Sequence, residues 1–202
     1  MTPTYTPELL GALTLFAVSA SFTPGPNNTM LMASGANFGL KASLPHMAGV
    51  TVGFIGLIAL CGLGLAGVFA AFPVLHEVLK WGGAAYMLWL AFRIATAKGI
   101  GTKAAAGRPM SFPGAVLFQA VNPKGWAMAL GTVSTYVPPQ GFLVNLLIAL
   151  GIFLVINVCT VVTWTAFGVG LRRFLDRPKV LRAFNVAMAL VLVASLYPVF
   201  VE

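Results

Sequence analysis

Charge is what this chain lacks. Four acidic residues stand against twelve Lys and Arg, and charged residues make up 8% of a 202-residue chain that is 59% hydrophobic. A soluble domain carries about 25% charged residues. Too little polar sequence remains here to cover the apolar surface with a wetted shell, so a water-soluble fold is excluded. Histidine is scarce as well. Two histidines, with no cysteine pair near either, leave no metal site to propose. No phosphate-cradling glycine motif occurs, so ATP is not a direct driver within this chain, and no cofactor is expected. No Ser/His, Asp/Asp or His/Glu constellation is expected at depth inside the membrane, which argues against a membrane-embedded enzyme. Met1 to Leu10 contains no Lys or Arg, so the basic region of a signal peptide is missing. Cys61 and Cys159 both fall in apolar stretches, say nothing of redox compartment, and are read as small packing residues.

What is present is apolar sequence in six long stretches: Glu8 to Asn37, Leu44 to Phe72, Val74 to Ala97, Phe112 to Tyr136, Phe142 to Leu171 and Val180 to Val201. A spanning helix needs roughly 20 apolar residues. An open sheet cannot cross lipid, and the alternation of a barrel strand is absent, so these stretches predict helices. The expected fold is an all-α membrane protein with six transmembrane helices. The stretch Ala97 to Ser111 is basic, rich in small residues and closed by Pro109 and Pro113. It divides the chain into three-helix halves, 1–97 and 112–202, joined by a cytoplasmic linker, 98–111. Three is odd, so the halves run through the bilayer in opposite senses as inverted repeats. Cys61 and Cys159 fall at comparable depths in the second helix of each half.

The basic residues set the orientation. Lys41 follows the first stretch. Arg93, Lys98, Lys103 and Arg108 follow the third. Arg172, Arg173, Arg177, Lys179 and Arg182 follow the fifth. The other side holds Lys80 together with Glu8, Glu77 and Glu202. This bias puts the odd-numbered loops in the cytoplasm and both termini outside, and it accounts for the net charge of +8 without a nucleic-acid partner. Tyr5, Trp81, Tyr136 and Tyr197 then fall near the outer interface, where amphipathic rings belong.

Most prolines mark helix ends or loops, Pro45 among them. Pro24, Pro26 and Pro123 instead interrupt spans, in Thr23-Pro24-Gly25-Pro26-Asn27-Asn28 and in Asn122-Pro123-Lys124-Gly125. Proline removes a backbone donor and breaks the helix. In lipid, irregular backbone survives only when buried in protein or lining a wet cavity, and paired breaks in corresponding helices point to a transporter's binding site. A proline kink can also exist with no substrate site. Asn122 is expected to cap a fresh half-helix beginning at Pro123, its side chain accepting a free amide. Lys124 adds a charge costing about 2.5–3.5 kcal/mol at mid-membrane, which makes sense if a substrate carboxylate visits. Gly25-Pro26 starts a second half-helix, with Asn27 and Asn28 offering amides. Pro24, Gly25, Pro26, Asn27, Asn28, Asn122, Pro123 and Lys124 are therefore the expected substrate-binding residues. Asn157, near the middle of the fifth stretch, joins them.

These motifs carry a resemblance. The run Thr23 to Asn28 resembles the first-helix signature of the lysine-exporter superfamily, in particular its homoserine/threonine-resistance branch. Trp81-Gly82-Gly83-Ala84-Ala85-Tyr86 with Leu90 and Arg93 resembles that family's third helix, and Asn122-Pro123-Lys124 its fourth. Asn27-Asn28, the run Ala48 to Gly53 and Ile94-Ala95-Thr96 look most like the cysteine/O-acetylserine exporters. The resemblance implies a six-helix bacterial inner-membrane exporter of amino acids or close derivatives, coupled to the proton gradient or membrane potential. One departure matters. Many members carry an aspartate where this chain has Phe54, and no Asp or Glu falls in the interior of a span. Small neutral amino acids are thus favoured over lysine, among threonine, homoserine, cysteine and O-acetylserine. A passive channel is the alternative.

His46 is read as an interfacial histidine, with a proton relay as the alternative, and His76 as a solvated loop residue. Gln119, Asn145, Asn157, Thr160, Thr163 and Asn185 are read as interhelical hydrogen-bonding groups. The small-residue pair Gly49 and Gly53, with Gly62, Gly64 and Gly67, permits close packing either within a protomer or in a homo-oligomer. Cysteine labelling or reporter fusions are expected to find the Lys98–Arg108 loop in the cytoplasm. Modification of that loop from outside intact cells would reverse the orientation.

Overall fold

Proline decides where most helices begin. In the computed structural model, residues 5–64, 73–96, 108–175, 177–194 and 196–197 are described. Helices α1 (Pro7–Phe22), α2 (Pro26–Phe38), α4 (Pro73–Ala95), α6 (Pro123–Gly131) and α8 (Pro178–Ala194) each start on a proline. Helix α5 (Phe112–Phe118) carries Pro113 in its first turn. The missing amide of proline costs nothing at a helix start, where it would have no intrahelical partner. Thr6 and Ser111 cap α1 and α5, accepting from the amides of Leu9 and Gly114 at 3.2 and 3.3 Å. Helices α3 (Leu40–Gly62) and α7 (Phe142–Leu171) start at glycines of positive φ, Gly39 and Gly141. Short 3₁₀ turns follow α5 (Gln119–Val121) and α7 (Arg172–Phe174), and a π turn (Thr132–Tyr136) follows α6.

The fold is all-helical among the described residues. By length and composition α3 and α7 can each cross a membrane, and α1 with α2, bent by 51° at their break, makes a third span. The other stretches fail that criterion for identifiable reasons. Glu77, Lys80 and Arg93 sit on α4 itself, because the helix begins as early as Pro73. His76 is accordingly helical rather than a loop residue. The fourth stretch is divided among α5, α6 and two irregular turns. Helix α8 carries Lys179 and Arg182 in its first turns. Most of the expected linker 98–111, with Lys98 and Lys103, lies outside the described residues, as do Gly67, Pro198 and Glu202.

Contacts along the helices fix their directions. Tyr5 meets Asn145, Phe16 stacks edge-on against Phe153, and Gly35 abuts Thr165, so α1 and α2 run the same way as α7. Gly62 meets Leu146 and Phe54 meets Phe153, so α3 runs opposite to α7. Gly49 lies on Ala115, Gly53 on Gln119 and Leu57 on Gly125, so α5 and α6 run with α3. The two broken helices therefore point in opposite directions with their breaks side by side. Helices α4 and α8 pack together beside them, Gly83 against Val121 and Asn37 bonded to Asn185 at 3.0 Å.

Glycine makes the closest crossings. At Gly49 and Gly53 an added Cβ would fall 2.5 Å from the Phe112 carbonyl and 2.8 Å from the Gln119 side chain and the Val116 backbone. The small-residue stripe thus packs α5 against α3 within one protomer. Gly35 and Gly168 do the same for α2 and α7, each abutting backbone of the other helix. Three sequence readings are corrected here. Pro45 lies inside α3 instead of at its end. Cys61 is buried but Cys159 is exposed, so the two cysteines do not occupy equivalent places. Asn145 bonds the carbonyls of Pro138 and Gln140 at 3.2 and 2.8 Å, tying down its own preceding loop. Asn37 and Asn185, by contrast, do pair between helices as expected.

Gly35→Ala should lower stability by about 1–3 kcal/mol, because the backbone of Thr165 cannot move aside. Gly151→Ala, with nothing within 4 Å, should change it by less than about 0.5 kcal/mol. Thermal unfolding of the two purified variants in detergent checks the contrast.

Candidate functional site

The first break leaves the last carbonyls of α1 without helical partners, since Pro24 and Pro26 have no amide to give. Two side chains close that end. The Asn28 amide donates to the carbonyls of Ser21 and Thr23 at 2.7 and 2.9 Å. The Lys124 ammonium, from the second break, donates to the same Thr23 carbonyl at 2.5 Å. Lys124 sits in the first turn of α6, where the helix dipole opposes a cation. By reaching across to the C-terminal end of α1 it gains the place where a cation is favoured. The arrangement offsets part of the insertion cost and explains how a lysine persists there.

The second break departs from expectation in one detail. Asn122 does occupy the N-cap position before Pro123, with extended backbone, but its side chain makes no capping bond. Its amide turns instead to the Gln119 carbonyl oxygen at 3.3 Å. The 3₁₀ turn brings Gln119 three residues back onto the same side, and that neighbour competes with the cap. Gln119 in turn exchanges two bonds with Asn27, at 2.9 and 3.2 Å, and donates to the Ala115 carbonyl at 3.0 Å. The reciprocal amide pair joins the start of α2 directly to the end of the α5 segment.

A cavity of about 30 Å³ lies between the breaks. Gly25, Pro26, Asn27 and Asn28 line it from the first break, Asn122, Lys124 and Gly125 from the second, and Asn157 from α7. Pro24 and Pro123 are not on its wall and act through the backbone they break. Lys124 is the charged residue of the lining, which includes no Asp or Glu. Phe54 completes an apolar wall with Val50, Met128 and Val161. Three buried polar atoms of the lining residues have no hydrogen-bond partner among the described residues: Ser21 Oγ, Asn122 Oδ1 and Asn157 Oδ1. Two are amide oxygens, which only accept. The wall thus combines a cationic donor, the open first turns of α2 and α6, and unpaired acceptors. No group of three or more metal-ligating side chains occurs among the described residues.

Gln119 bonds between helices as expected, while sequence reasoning missed Ser21 and the apolar wall and took Thr160 as an interhelical group. Ser21 lies one turn before the first break and Gln119 one turn before Asn122. Proximity to a break was the available signal. His46 is corrected more sharply. It is 2% exposed, buried by protein and not solvated, and neither ring nitrogen has a hydrogen-bond partner among the described residues.

A family model described as LysE type translocator matches residues 18–195. A cysteine/O-acetylserine efflux protein of Salmonella typhi is 32% identical over 201 residues, covering 96% of this chain and 99% of the relative. The protein of the same description from Escherichia coli strain K12 is 32% identical over 203 residues with the same coverage. That of Escherichia coli O1:K1 / APEC is 31% identical over 205 residues, again with 96% and 99% covered. No solved structure matches.

The Asn27–Gln119 pair should show a coupling of about 0.6–1.7 kcal/mol, as polar pairs between membrane helices do. A double-mutant cycle of Asn27→Ala and Gln119→Ala, read by thermal unfolding in detergent, measures it. Additive single effects would mean that the two breaks are not joined there.

Proposed function

The chain belongs to the LysE type translocator family, and from that premise we propose that it exports small neutral amino acids or their derivatives across the bacterial inner membrane. As a member of that family it is a transporter and not an enzyme. The names of its relatives favour cysteine and O-acetylserine as substrates. The reading has six spans in two inverted halves, 1–97 and 112–202, about the basic linker 98–111, with both termini outside the cytoplasm. Transport is secondary and works by alternating access, the halves rocking around the breaks.

The observation that carries this reading is the pairing of one cation with unpaired acceptors in a single cavity between the breaks. The Lys124 ammonium and the helix starts at Pro26 and Pro123 attract a substrate carboxylate. The oxygens of Asn122 and Asn157 receive the substrate ammonium. Ser21 Oγ and the wall of Val50, Phe54 and Met128 lie beside a short side chain. A zwitterion with one carboxylate and one ammonium matches this wall, and a dibasic amino acid does not. Pro24 and Pro123 hold the half-helix starts in place. The cavity of about 30 Å³ is small, and alternating access supplies the separation of its walls that admits substrate.

Purified protein in proteoliposomes should take up labelled external O-acetylserine faster when unlabelled O-acetylserine is loaded inside, a trans-stimulation that a passive channel does not show. Lys124→Ala should cut that exchange at least tenfold with the protein still in the membrane, and Pro123→Ala should do the same. Unimpaired exchange by Lys124→Ala would end its role as carboxylate anchor.

A further inference from the structure

One buried group takes no part in the site as described. His46 is 2% exposed on α3, and both its ring nitrogens lack partners among the described residues. A buried polar group without a hydrogen bond costs free energy, so its presence calls for a use. It lies one helical turn, about 6 Å, before Val50, which lines the cavity. Trp164 lies one turn beyond Thr160 on the oppositely directed α7, and its indole nitrogen is likewise buried and unpartnered. Trp164 packs against the cluster of Met47, Val50 and Val161. His46 on α3 and Trp164 on α7 thus each lie one turn from a cavity-lining residue, on the side of the helix ends that hold Lys41 and Arg172.

Among the described residues, no other group packed against α3 is suited to carry a proton. Of the elements packed against α3, neither α2, α5 nor the turn Gln119–Val121 holds a titratable side chain. Helix α6 contributes Lys124, already bonded to Thr23. The π turn contributes Tyr136, stacked on Phe16 at 5.1 Å, and α7 contributes the exposed Cys159. Arg172, just past α7, comes near Gly39 at the start of α3. On α3 itself Lys41 is exposed and Cys61 lies at the far end.

Resting on the exporter reading above, we propose that His46 is the proton-carrying group that couples export to the proton gradient. An imidazolium would be an unpaired charge among apolar side chains in the closed arrangement. Protonation therefore favours the arrangement in which the recess is open to water, and a group with differential affinity of that kind shifts a two-state equilibrium. The proton passes from water on the outer side to an imidazole nitrogen once substrate has left. It passes from that nitrogen to cytoplasmic water before the next substrate binds. One proton moves in as one substrate moves out, and no bond of the substrate changes.

The test uses full-length protein in proteoliposomes with labelled O-acetylserine as the probe. Two signals are read: exchange without a gradient, and accumulation driven by an imposed pH difference, with proton flux followed by an internal dye. Wild type should show both. His46→Gln and His46→Asn should retain measurable exchange, at a reduced rate, while gradient-driven accumulation and substrate-dependent proton flux fall at least tenfold. Accumulation by either variant at the wild-type ratio overturns the proposal. So does loss of exchange in both variants with unfolding temperatures unchanged, which would make His46 part of the substrate site. Absence of exchange by wild type would overturn the transport reading itself, and the proposal with it.

Discussion

A carbonyl in hydrocarbon must find a donor, and everything central in this molecule follows from how Thr23 finds one. Lipid offers no water to complete an interrupted helix. Two prolines within three residues interrupt α1–α2, and the donors come from Asn28 and from Lys124, roughly a hundred residues later in the chain. That second bond requires the other broken helix to arrive at the same depth running the opposite way. The stripe of Gly49 and Gly53 allows the approach by letting α5 lie directly on α3. A local defect in one span thus prescribes the placement of another.

The same bond shapes the electrostatics of the cavity. Lys124 is held at the end of α1, but Thr23 takes only one of its three ammonium donors. The starts of α2 and α6 add partial positive charge. With no carboxylate in the lining to neutralise them, these charges balance against the oxygens of Asn122 and Asn157. A substrate bearing both signs answers that pattern without leaving a net charge buried.

Much of this was legible in the residues. Proline positions located the breaks and five helix starts, because a missing amide is harmless only at a first turn. Lys124 stood out because a lysine deep in apolar sequence is costly. The glycine stripe announced a close crossing, though only the fold could assign it to a partner in the same chain. What failed depended on rotation and reach. Cys61 and Cys159 look alike in sequence, yet one faces protein and the other faces outward, since a long apolar helix such as α7 carries little asymmetry to orient it. Asn122 was expected to cap, but its side-chain N–H donates to Gln119 Oε1 and its own oxygen accepts no capping amide. His46 was placed by its distance from a helix end, while its burial comes from α5 and α7 closing over α3.

The bend between α1 and α2 separates two environments. Eleven of the thirteen residues of α2 are buried, but only three of the sixteen in α1. Helix α2 is accordingly rich in Asn, Ser, Thr and Gly, a composition that lipid would not tolerate and that protein neighbours can satisfy. A bilayer that thickens or thins acts on α1, which can change tilt to follow it. The bend at Thr23 to Gly25 keeps that tilt from being passed rigidly to α2. The first helix works as a suspension, and the cavity-lining residues beyond it ride at constant height.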